Sequence, residues 1–299
     1  MIISASRRTD IPAFYSDWLM RRIQHQYCLS VNPYNRNQVT RVSLRPEDID
    51  ALVFWTKNAA PLLPRLAELD SRGYRYYFQY TLNGYGEPIE PKLPALERCI
   101  ETFLLLAERV GPDRVIWRYD PVIFSAQTSL TYHQQRFGLI LERLQTATRR
   151  IVVSIVDAYR KAAQNFIRLQ SRGVTIQTEY SAEQLSALCM FMSEQAGRYH
   201  IPVYSCAEKL DLTPFGITPG KCVDAELIDR LFGVRVKMGK DRSQRKECGC
   251  LQSKDIGFYD TCLHGCAYCY AGTYQSGLRN RSRHSPDAPQ LLRNSCSED

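Results

Sequence analysis

Apolar and polar positions follow each other in a regular order along this chain. Short runs rich in β-branched and aromatic residues, such as Ile2–Ala5, are each followed by a longer stretch in which apolar residues recur every three or four positions. The short runs are typical of strands buried on both faces, and the longer stretches are typical of amphipathic helices. Strands that alternate with helices build parallel sheets. The pattern therefore predicts an α/β protein.

The alternation continues through the first two thirds of the chain, and turn residues such as Pro12 and Gly73 mark helix starts and ends. The predicted strands are 2–5, 27–31, 51–55, 74–81, 114–119, 151–156 and 201–206. The predicted helices are 12–24, 61–73, 94–110, 132–148 and 182–198. About seven β/α units favour a TIM-like barrel, closed or partly open, over a doubly wound sheet. We expect residues 1–235 to form this barrel and residues 236–299 to pack on its mouth.

Polar residues follow most of these strands. In a parallel barrel the carboxyl ends of the strands form the rim that carries catalysis. Strand ends are also where any chain becomes polar and turns, but at 118–121 an arginine and an aspartate flank an aromatic residue after an apolar run. The candidate catalytic residues are Arg118, Asp120 and Lys57. The candidate cofactor-binding residues on the rim are Ser6 and Ser154, and Asp157 follows the sixth strand.

Composition narrows the class of protein further. The chain has 299 residues, of which 44% are hydrophobic and 23% charged, which excludes a disordered chain or a disulfide miniprotein. No apolar run approaches the roughly 18 residues of a membrane span, and the first residues lack a secretory signal. We expect a soluble, cytoplasmic protein with no membrane partner. In that reducing compartment its 11 cysteines point to metal or catalytic thiolates rather than disulfides.

Three cysteines near the C-terminus have the spacing C-x3-C-x2-C: Cys262, Cys266 and Cys269. Gly265 allows the intervening loop to turn tightly. Three thiolates on a 4Fe-4S cluster leave one iron open for a substrate or cofactor. A structural zinc site would need a fourth ligand, and His264, placed between two of the cysteines, is expected instead to cap or solvate the loop.

Four further cysteines lie close together in sequence: Cys206, Cys222, Cys248 and Cys250. They are the complement for a second 4Fe-4S cluster or for a structural zinc ion. Iron-sulfur is favoured because the first cluster already commits the protein to cluster assembly. The alternative is that Cys206 is an ordinary core residue and that the C-x-C pair has too little reach. Of the remaining cysteines, Cys28, Cys99 and Cys189 are expected in the core and Cys296 in a loose tail.

The C-x3-C-x2-C triplet, with Tyr268 directly before its last cysteine, resembles the cluster loop of radical S-adenosylmethionine enzymes. The resemblance implies that the three thiolates hold a 4Fe-4S cluster whose open iron binds S-adenosylmethionine. It implies reductive cleavage to methionine and a 5′-deoxyadenosyl radical, which abstracts hydrogen from a substrate that the sequence does not identify. It also implies an electron donor such as ferredoxin or flavodoxin, with Tyr268 near the adenine or the cluster.

Segments spread over the whole chain look like the family known as domain of unknown function 1848. They are 2–12, 53–58, 117–121 and 248–257. That family carries at its C-terminus a cysteine cluster similar to the one that radical S-adenosylmethionine enzymes carry near the N-terminus. The chain departs from the superfamily in two ways: residues 6–10 occupy the usual place of the cluster loop, and no Gly-Gly-Glu stretch follows the second strand.

The formal net charge is +8, and basic residues are concentrated between 235 and 254 and again at 279–283. Such a run is able to bind nucleic acid, but a solvated loop or a balance for anionic thiolates explains it equally, so nucleic acid is the less favoured partner. Two other functions remain open. One is a zinc-stabilised binding protein with a structural cysteine segment. The other is an iron-sulfur electron carrier or sensor without S-adenosylmethionine chemistry.

Overall fold

The structure is a computed structural model that describes residues 1–35, 37–156, 160–177 and 180–293, without the side chains of 160 and 161. Asp157 and Cys296 lie outside the described residues. Within them are ten strands: β1 Ile2–Ala5, β2 Tyr27–Val31, β3 Val39–Ser43, β4 Ala51–Thr56, β5 Tyr76–Thr81, β6 Val115–Val122, β7 Ile151–Ile155, β8 Val203–Cys206, β9 Thr218–Gly220 and β10 Lys254–Asp255.

Eight of the strands form one parallel sheet in the order β10-β1-β4-β5-β6-β7-β8-β9. The expectation of an α/β fold around a parallel sheet is therefore confirmed. From β1 to β9 the strands of this sheet lie side by side in the order in which they occur in the chain, while β2 and β3 form a sheet of their own. The last strand, β10, lies beside the first. All their carboxyl ends consequently meet at one edge, which we call the rim.

Nine helices surround the sheet in the described part of the chain: α1 Ile11–Phe14, α2 Ser16–Gln24, α3 Leu66–Ser71, α4 Leu96–Val110, α5 Leu130–Leu144, α6 Arg160–Gln170, α7 Ala182–Gly197, α8 Ala225–Phe232 and α9 Tyr274–Arg281. Polar side chains accept backbone N–H groups at several helix starts, as Ser129 does for α5, Ser181 for α7 and Asp224 for α8. Each such cap satisfies a donor that the helix itself leaves unpaired.

The two faces of the sheet bury different sets of side chains. Ile3, Leu52 and Phe78 point to one face, where they pack into a core shared with the long helices. Their neighbours in the chain point to the opposite face and pack with residues of α8 and with cysteines. This period of two explains why the strands read as continuous apolar runs: both faces are covered.

Two strand predictions are wrong in their details. Residues 27–31 were expected in the main sheet, but β2 pairs antiparallel with β3 in a separate two-stranded sheet, because a short connection favours local antiparallel pairing. The strand at 114–119 was expected to break at Asp120 and Pro121, but β6 continues to Val122. Its register with β7 shifts between Tyr119 and Val122, and such an irregularity accommodates a proline that lacks an N–H.

The C-terminal part of the chain adds β10 to the sheet beside β1. The boundary expected at residue 235 thus separates two parts of one sheet. One backbone hydrogen bond, from Leu251 N to Val223 O at 2.9 Å, connects the segments next to β10 and β9. Among the described residues no ladder pairs β9 with β10. None of the described helices has both the length and the apolar character needed to cross a bilayer.

The buried His133 predicts a pH dependence of stability. Its Nδ1 lies 2.8 Å from the Tyr119 hydroxyl and its Nε2 lies 2.9 Å from Ile123 O, and burial lowers the pKa of His133 to about 4. The unfolded ring has a pKa near about 6.5, so the unfolded chain binds the extra proton first as the pH falls. Stability should therefore decrease between pH 6.5 and 4, by about 2 kcal/mol at pH 5.

Urea unfolding at pH 7 and pH 5 measures this loss. His133→Gln should reduce the difference between the two pH values, and His25→Gln, at an exposed position after α2, controls for the exchange of the residue itself. An equal difference in wild type and in His133→Gln would show that another group causes it.

Candidate functional site

The C-x3-C-x2-C cysteines lie on a loop that follows β10, which we call the cysteine loop, residues 260–271. A hydrogen bond from Asp260 N to Ala271 O, at 2.8 Å, closes its base. Ala267 N donates to Ile89 O at 2.9 Å, in the connection after β5, and the Tyr15 hydroxyl, after β1, donates to Thr261 O at 2.7 Å. Both partners follow rim ends of strands, so the cysteine loop lies at the rim.

Helix α9 supports the cysteine loop from behind. Asn280 Nδ2 donates to Asp260 O at 2.8 Å, and Gly277 is packed so closely that a Cβ there would lie 2.6 Å from Cys262 O. Within the loop, Gly265 has a φ of +68°, a left-handed conformation that glycine adopts without strain. The close approach at Gly277 fixes the distance between the helix and the first cysteine.

Asp10 ties the cysteine loop to the ends of two strands. Its carboxylate accepts from His264 Nε2 at 2.8 Å and from Thr56 Oγ1 at 2.8 Å. It also accepts from the backbone N–H of Lys57 at 2.7 Å and of Ala13 at 2.9 Å. Four donors around one buried carboxylate make a rigid junction. His264 was expected to cap or solvate the loop; it is buried, it bonds Asp10, and its Nδ1 has no partner among the described atoms.

Of the three cysteines of the cysteine loop, Cys266 is buried and Cys262 and Cys269 are half-buried. Burial raises the pKa of Cys266 to about 12, and burial with the nearby charges of Cys269 and Asp10 raises the pKa of Cys262 further above its usual range. The described cysteines form no disulfides. Within the described ranges no three histidine, cysteine or acidic side chains already form a cage for a metal ion. The site is therefore a set of buried and half-buried thiols that only a strongly cationic partner would convert to thiolates.

A buried ion pair borders the cysteine loop. Lys57 Nζ lies 2.8 Å from Glu90 Oε1, with side chains 14% and 2% exposed. The Tyr268 hydroxyl donates to the same carboxylate, and Lys57 Nζ lies 5.3 Å from the centre of the Tyr268 ring. Burial alone would lower the pKa of Lys57, but the charge of Glu90 outweighs it and raises that pKa, with a further contribution from Cys266. A permanent positive charge therefore lies beside the thiols.

A second buried pair lies further along the rim. Arg118, which is 4% exposed, forms an ion pair with Asp120, and the Ser154 hydroxyl also bonds Asp120. Asn83 links the two pairs: its Oδ1 accepts from Asp120 N at 2.8 Å, and its Nδ2 lies 3.2 Å from the Tyr268 hydroxyl. The predicted site residues Lys57, Arg118, Asp120, Ser154 and Tyr268 are thus brought into one polar network.

Ser6 has a different neighbour. Its hydroxyl donates to Asp255 Oδ1 at 2.7 Å and accepts from Arg8 N at 2.9 Å. The first of these bonds holds β10 against the residue that follows β1, and the second closes the turn at residues 6–8. The Ser6 hydroxyl is therefore engaged in joining the C-terminal segment to the sheet.

Four other cysteines meet on the face of the sheet that packs against α8. Cys206 Sγ and Cys222 Sγ are 3.4 Å apart, and Cys250 is hydrogen-bonded by the thiols of both Cys222 and Cys248. Arg118 Nη1 donates to Cys222 Sγ at 2.7 Å. Four thiols that come from three separate parts of the chain therefore form a continuous set of contacts, which we call the four-thiol group.

A cavity of about 170 Å³ opens next to Lys57 and Glu90, with walls from Asn83, Gly84 and Leu96. Sequence reasoning missed Asn83, Glu90 and Asp10. Asn83 follows β5 closely enough for its place in the chain to have indicated it, whereas Glu90 and Asp10 gave no signal. Together the cavity, the charged pairs and the cysteine loop offer a pocket with carboxylate, ammonium and amide groups beside three thiols.

Two glycine-to-alanine substitutions should have opposite effects on stability, because Gly277 packs against the backbone of Cys262 whereas Gly138 faces open space. Gly277→Ala should destabilise the protein by about 1–3 kcal/mol, because the new Cβ meets backbone that cannot move away. Gly138→Ala lies in α5 with nothing within 4 Å, and should stabilise the protein by about 0.5–1 kcal/mol through helix propensity alone. Urea unfolding of both variants measures the difference, and stabilisation by Gly277→Ala would refute the close packing.

A solved structure of a putative alpha-L-fucosidase from Bacteroides thetaiotaomicron matches over 80% of this chain and 85% of that chain, with 11% identity and a TM-score of 0.27, which is too low to support any argument. No curated protein matches the chain. The family model for the domain of unknown function DUF1848 matches residues 2–271, a span that includes the cysteine loop. The chain belongs to the DUF1848 family.

Proposed function

We propose that this protein is a radical S-adenosylmethionine-type enzyme in which Cys262, Cys266 and Cys269 hold a 4Fe-4S cluster. The observation that carries the proposal is the position of the cysteine loop: three thiols, one buried and two half-buried, on one loop at the rim, beside the Lys57 and Glu90 pair. When bound, such a cluster supplies an electron for reductive cleavage of S-adenosylmethionine at its open iron. The radical that this cleavage produces would then abstract hydrogen from the substrate.

The residues present fit such a cluster in their donor chemistry. Iron-sulfur clusters are bound by thiolates, and the three cysteines of the loop form no disulfides. The loop is held in place by Asp10, Ile89 and Gly277 before any metal arrives. Lys57 supplies positive charge next to Cys266, which favours an anionic thiolate cluster at that position.

Lys57 and Glu90 also suit the amino-acid end of S-adenosylmethionine. That end carries one carboxylate and one ammonium group, and Lys57 and Glu90 are a buried cation and anion at the edge of the cavity. We propose that Lys57 binds the carboxylate and Glu90 the ammonium group, so that each side chain exchanges its present partner for one on the ligand. These contacts would replace those of the missing Gly-Gly-Glu stretch. Asn83 and Tyr268, both bonded to Glu90, would orient its carboxylate.

Arg118, Asp120 and Ser154 form the adjoining part of the rim. We propose that they position the substrate, since their charges are buried and fixed by mutual hydrogen bonds. The proposal includes a TIM-like curvature of the sheet, which the bond from Leu251 N to Val223 O between its two edges supports. An electron donor such as ferredoxin or flavodoxin would reduce the cluster.

The proposal predicts a coloured protein after anaerobic purification. Broad visible absorption from iron and sulfide should be lost in the variant with Cys262, Cys266 and Cys269 all changed to alanine. It should persist when the three core cysteines Cys28, Cys99 and Cys189 are changed to alanine instead, because these are buried in the apolar core. Incubation of the wild-type protein with dithionite and S-adenosylmethionine should yield 5′-deoxyadenosine, detected by chromatography.

Two results would contradict the proposal. A colourless protein with zinc bound by the cysteine loop would favour a structural role for that loop. A brown protein that forms no 5′-deoxyadenosine would indicate an iron-sulfur electron carrier or sensor.

A further inference from the structure

We propose that Cys206, Cys222, Cys248 and Cys250 bind one zinc ion, in a centre separate from the cysteine loop. The four residues come from three places: Cys206 ends β8, Cys222 follows β9, and Cys248 and Cys250 precede β10. Their thiols nevertheless touch in succession, Cys206 to Cys222, Cys222 to Cys250 and Cys250 to Cys248. Convergence of thiols from separate segments, with no disulfide among them, is the donor set of a structural zinc site.

Hydrogen-bond donors surround the four-thiol group as they surround metal-bound sulfur. Arg118 Nη1 donates to Cys222 Sγ at 2.7 Å. The backbone N–H groups of Cys222 and Val223 point at Cys250 Sγ, at 3.3 and 3.5 Å. N–H groups aimed at sulfur stabilise the thiolate form and are the usual outer contacts of thiolate ligands.

Two buried guanidinium groups provide positive charge for this centre. Arg118 and Arg7 lie on the ring of Trp55, each with its central carbon 5.2 Å from the ring centre. Arg7 Nη2 and Trp55 Nε1 are buried without a hydrogen-bond partner in the described structure. Four thiolates around a divalent ion carry a net charge of about −2. The two arginines would offset part of it, since Arg118 also pairs with Asp120 and Arg7 with Asp241.

The spacing of the sulfurs favours a single ion over an iron-sulfur cluster. With Zn–S bonds of about 2.3 Å, two ligands of a tetrahedral ion lie roughly 3.8 Å apart. Cys206 Sγ and Cys222 Sγ are already 3.4 Å apart, and Cys250 is within hydrogen-bonding reach of two other thiols. The four cysteines of a 4Fe-4S cluster each bind a different iron, so their sulfurs must lie much further apart. This spacing is the reason why we propose zinc here, where the sequence alone favoured iron-sulfur.

The four-thiol group is an open chain of contacts rather than a finished cage, in agreement with the lack of a ready ion site among the described residues. Cys206 and Cys248 are its two ends. Binding of zinc would draw these ends around one point. It would thereby connect β8, the segment after β9 and the segment before β10, which lie where the sheet has no ladder between its edge strands.

The test uses the variant with Cys262, Cys266 and Cys269 changed to alanine, so that loss of the cluster proposed above does not affect the outcome. This protein, purified in air in a zinc-containing buffer and then desalted, should hold one zinc per chain by elemental analysis. Adding Cys222→Ala should reduce the zinc at least tenfold, and adding Cys189→Ala, in α7 and away from the four-thiol group, should leave it unchanged. Absence of zinc, or iron with sulfide in its place, would overturn the proposal.

A second measurement uses cobalt(II) as a spectroscopic probe of the same variant, whose cysteine loop has no thiols. Cobalt(II) added to this metal-free variant should give the intense visible bands and sulfur-to-metal charge transfer of a tetrahedral thiolate site, and one equivalent of zinc should abolish them. Weak bands, typical of octahedral cobalt, would refute a four-thiolate ion site.

Discussion

The arrangement of the site depends on one carboxylate, that of Asp255. It accepts from the hydroxyls of Ser4 and Ser6 at 3.1 and 2.7 Å, and from the backbone N–H groups of Arg7 and Gly257 at 2.8 and 2.9 Å. These bonds attach a two-residue strand to the edge of the sheet, where ladder hydrogen bonds alone would be too few to hold it. Since the cysteine loop follows directly, Asp255 determines that three thiols reach the rim from the far end of the chain.

The attachment of β10 positions the parts of the chain that follow it and that precede it. After β10, the cysteine loop meets Asp10, Lys57 and Glu90, and its position is fixed by contacts to connections that follow β1, β4 and β5. Before β10, Cys248 and Cys250 join the cluster that contains Cys222, whose sulfur accepts a hydrogen bond from Arg118. Asn83 joins the two charged pairs at the rim. Buried charges of this kind are tolerated because each has a partner, and they leave a polar pocket inside an apolar sheet.

Whether an interaction could be predicted from the sequence depends on how far apart its residues are in the chain. Strands β1, β4 and β5 were predicted because β-branched and aromatic runs act locally, and the cysteine spacing indicated the loop because its ligands are neighbours in the chain. Strand β10 has two residues and therefore no pattern. Asp10 and Glu90 were missed because they meet the cysteine loop only after folding, across 254 and 178 positions of sequence. By contrast, Gln79 in β5 and Arg118 in β6 each interrupt an otherwise apolar strand. A polar residue in such a run is a signal that the sequence alone shows.

The central claim is that three thiols of the cysteine loop leave one iron open to S-adenosylmethionine beside Lys57 and Glu90. Electron paramagnetic resonance of the dithionite-reduced protein, recorded with and without S-adenosylmethionine, tests it most directly, with the variant Lys57→Met/Glu90→Gln as the comparison. The account predicts a reduced-cluster signal that changes on addition of S-adenosylmethionine in the wild type, and a change that needs at least tenfold more S-adenosylmethionine in the variant. A cluster signal that is the same with and without S-adenosylmethionine would contradict it.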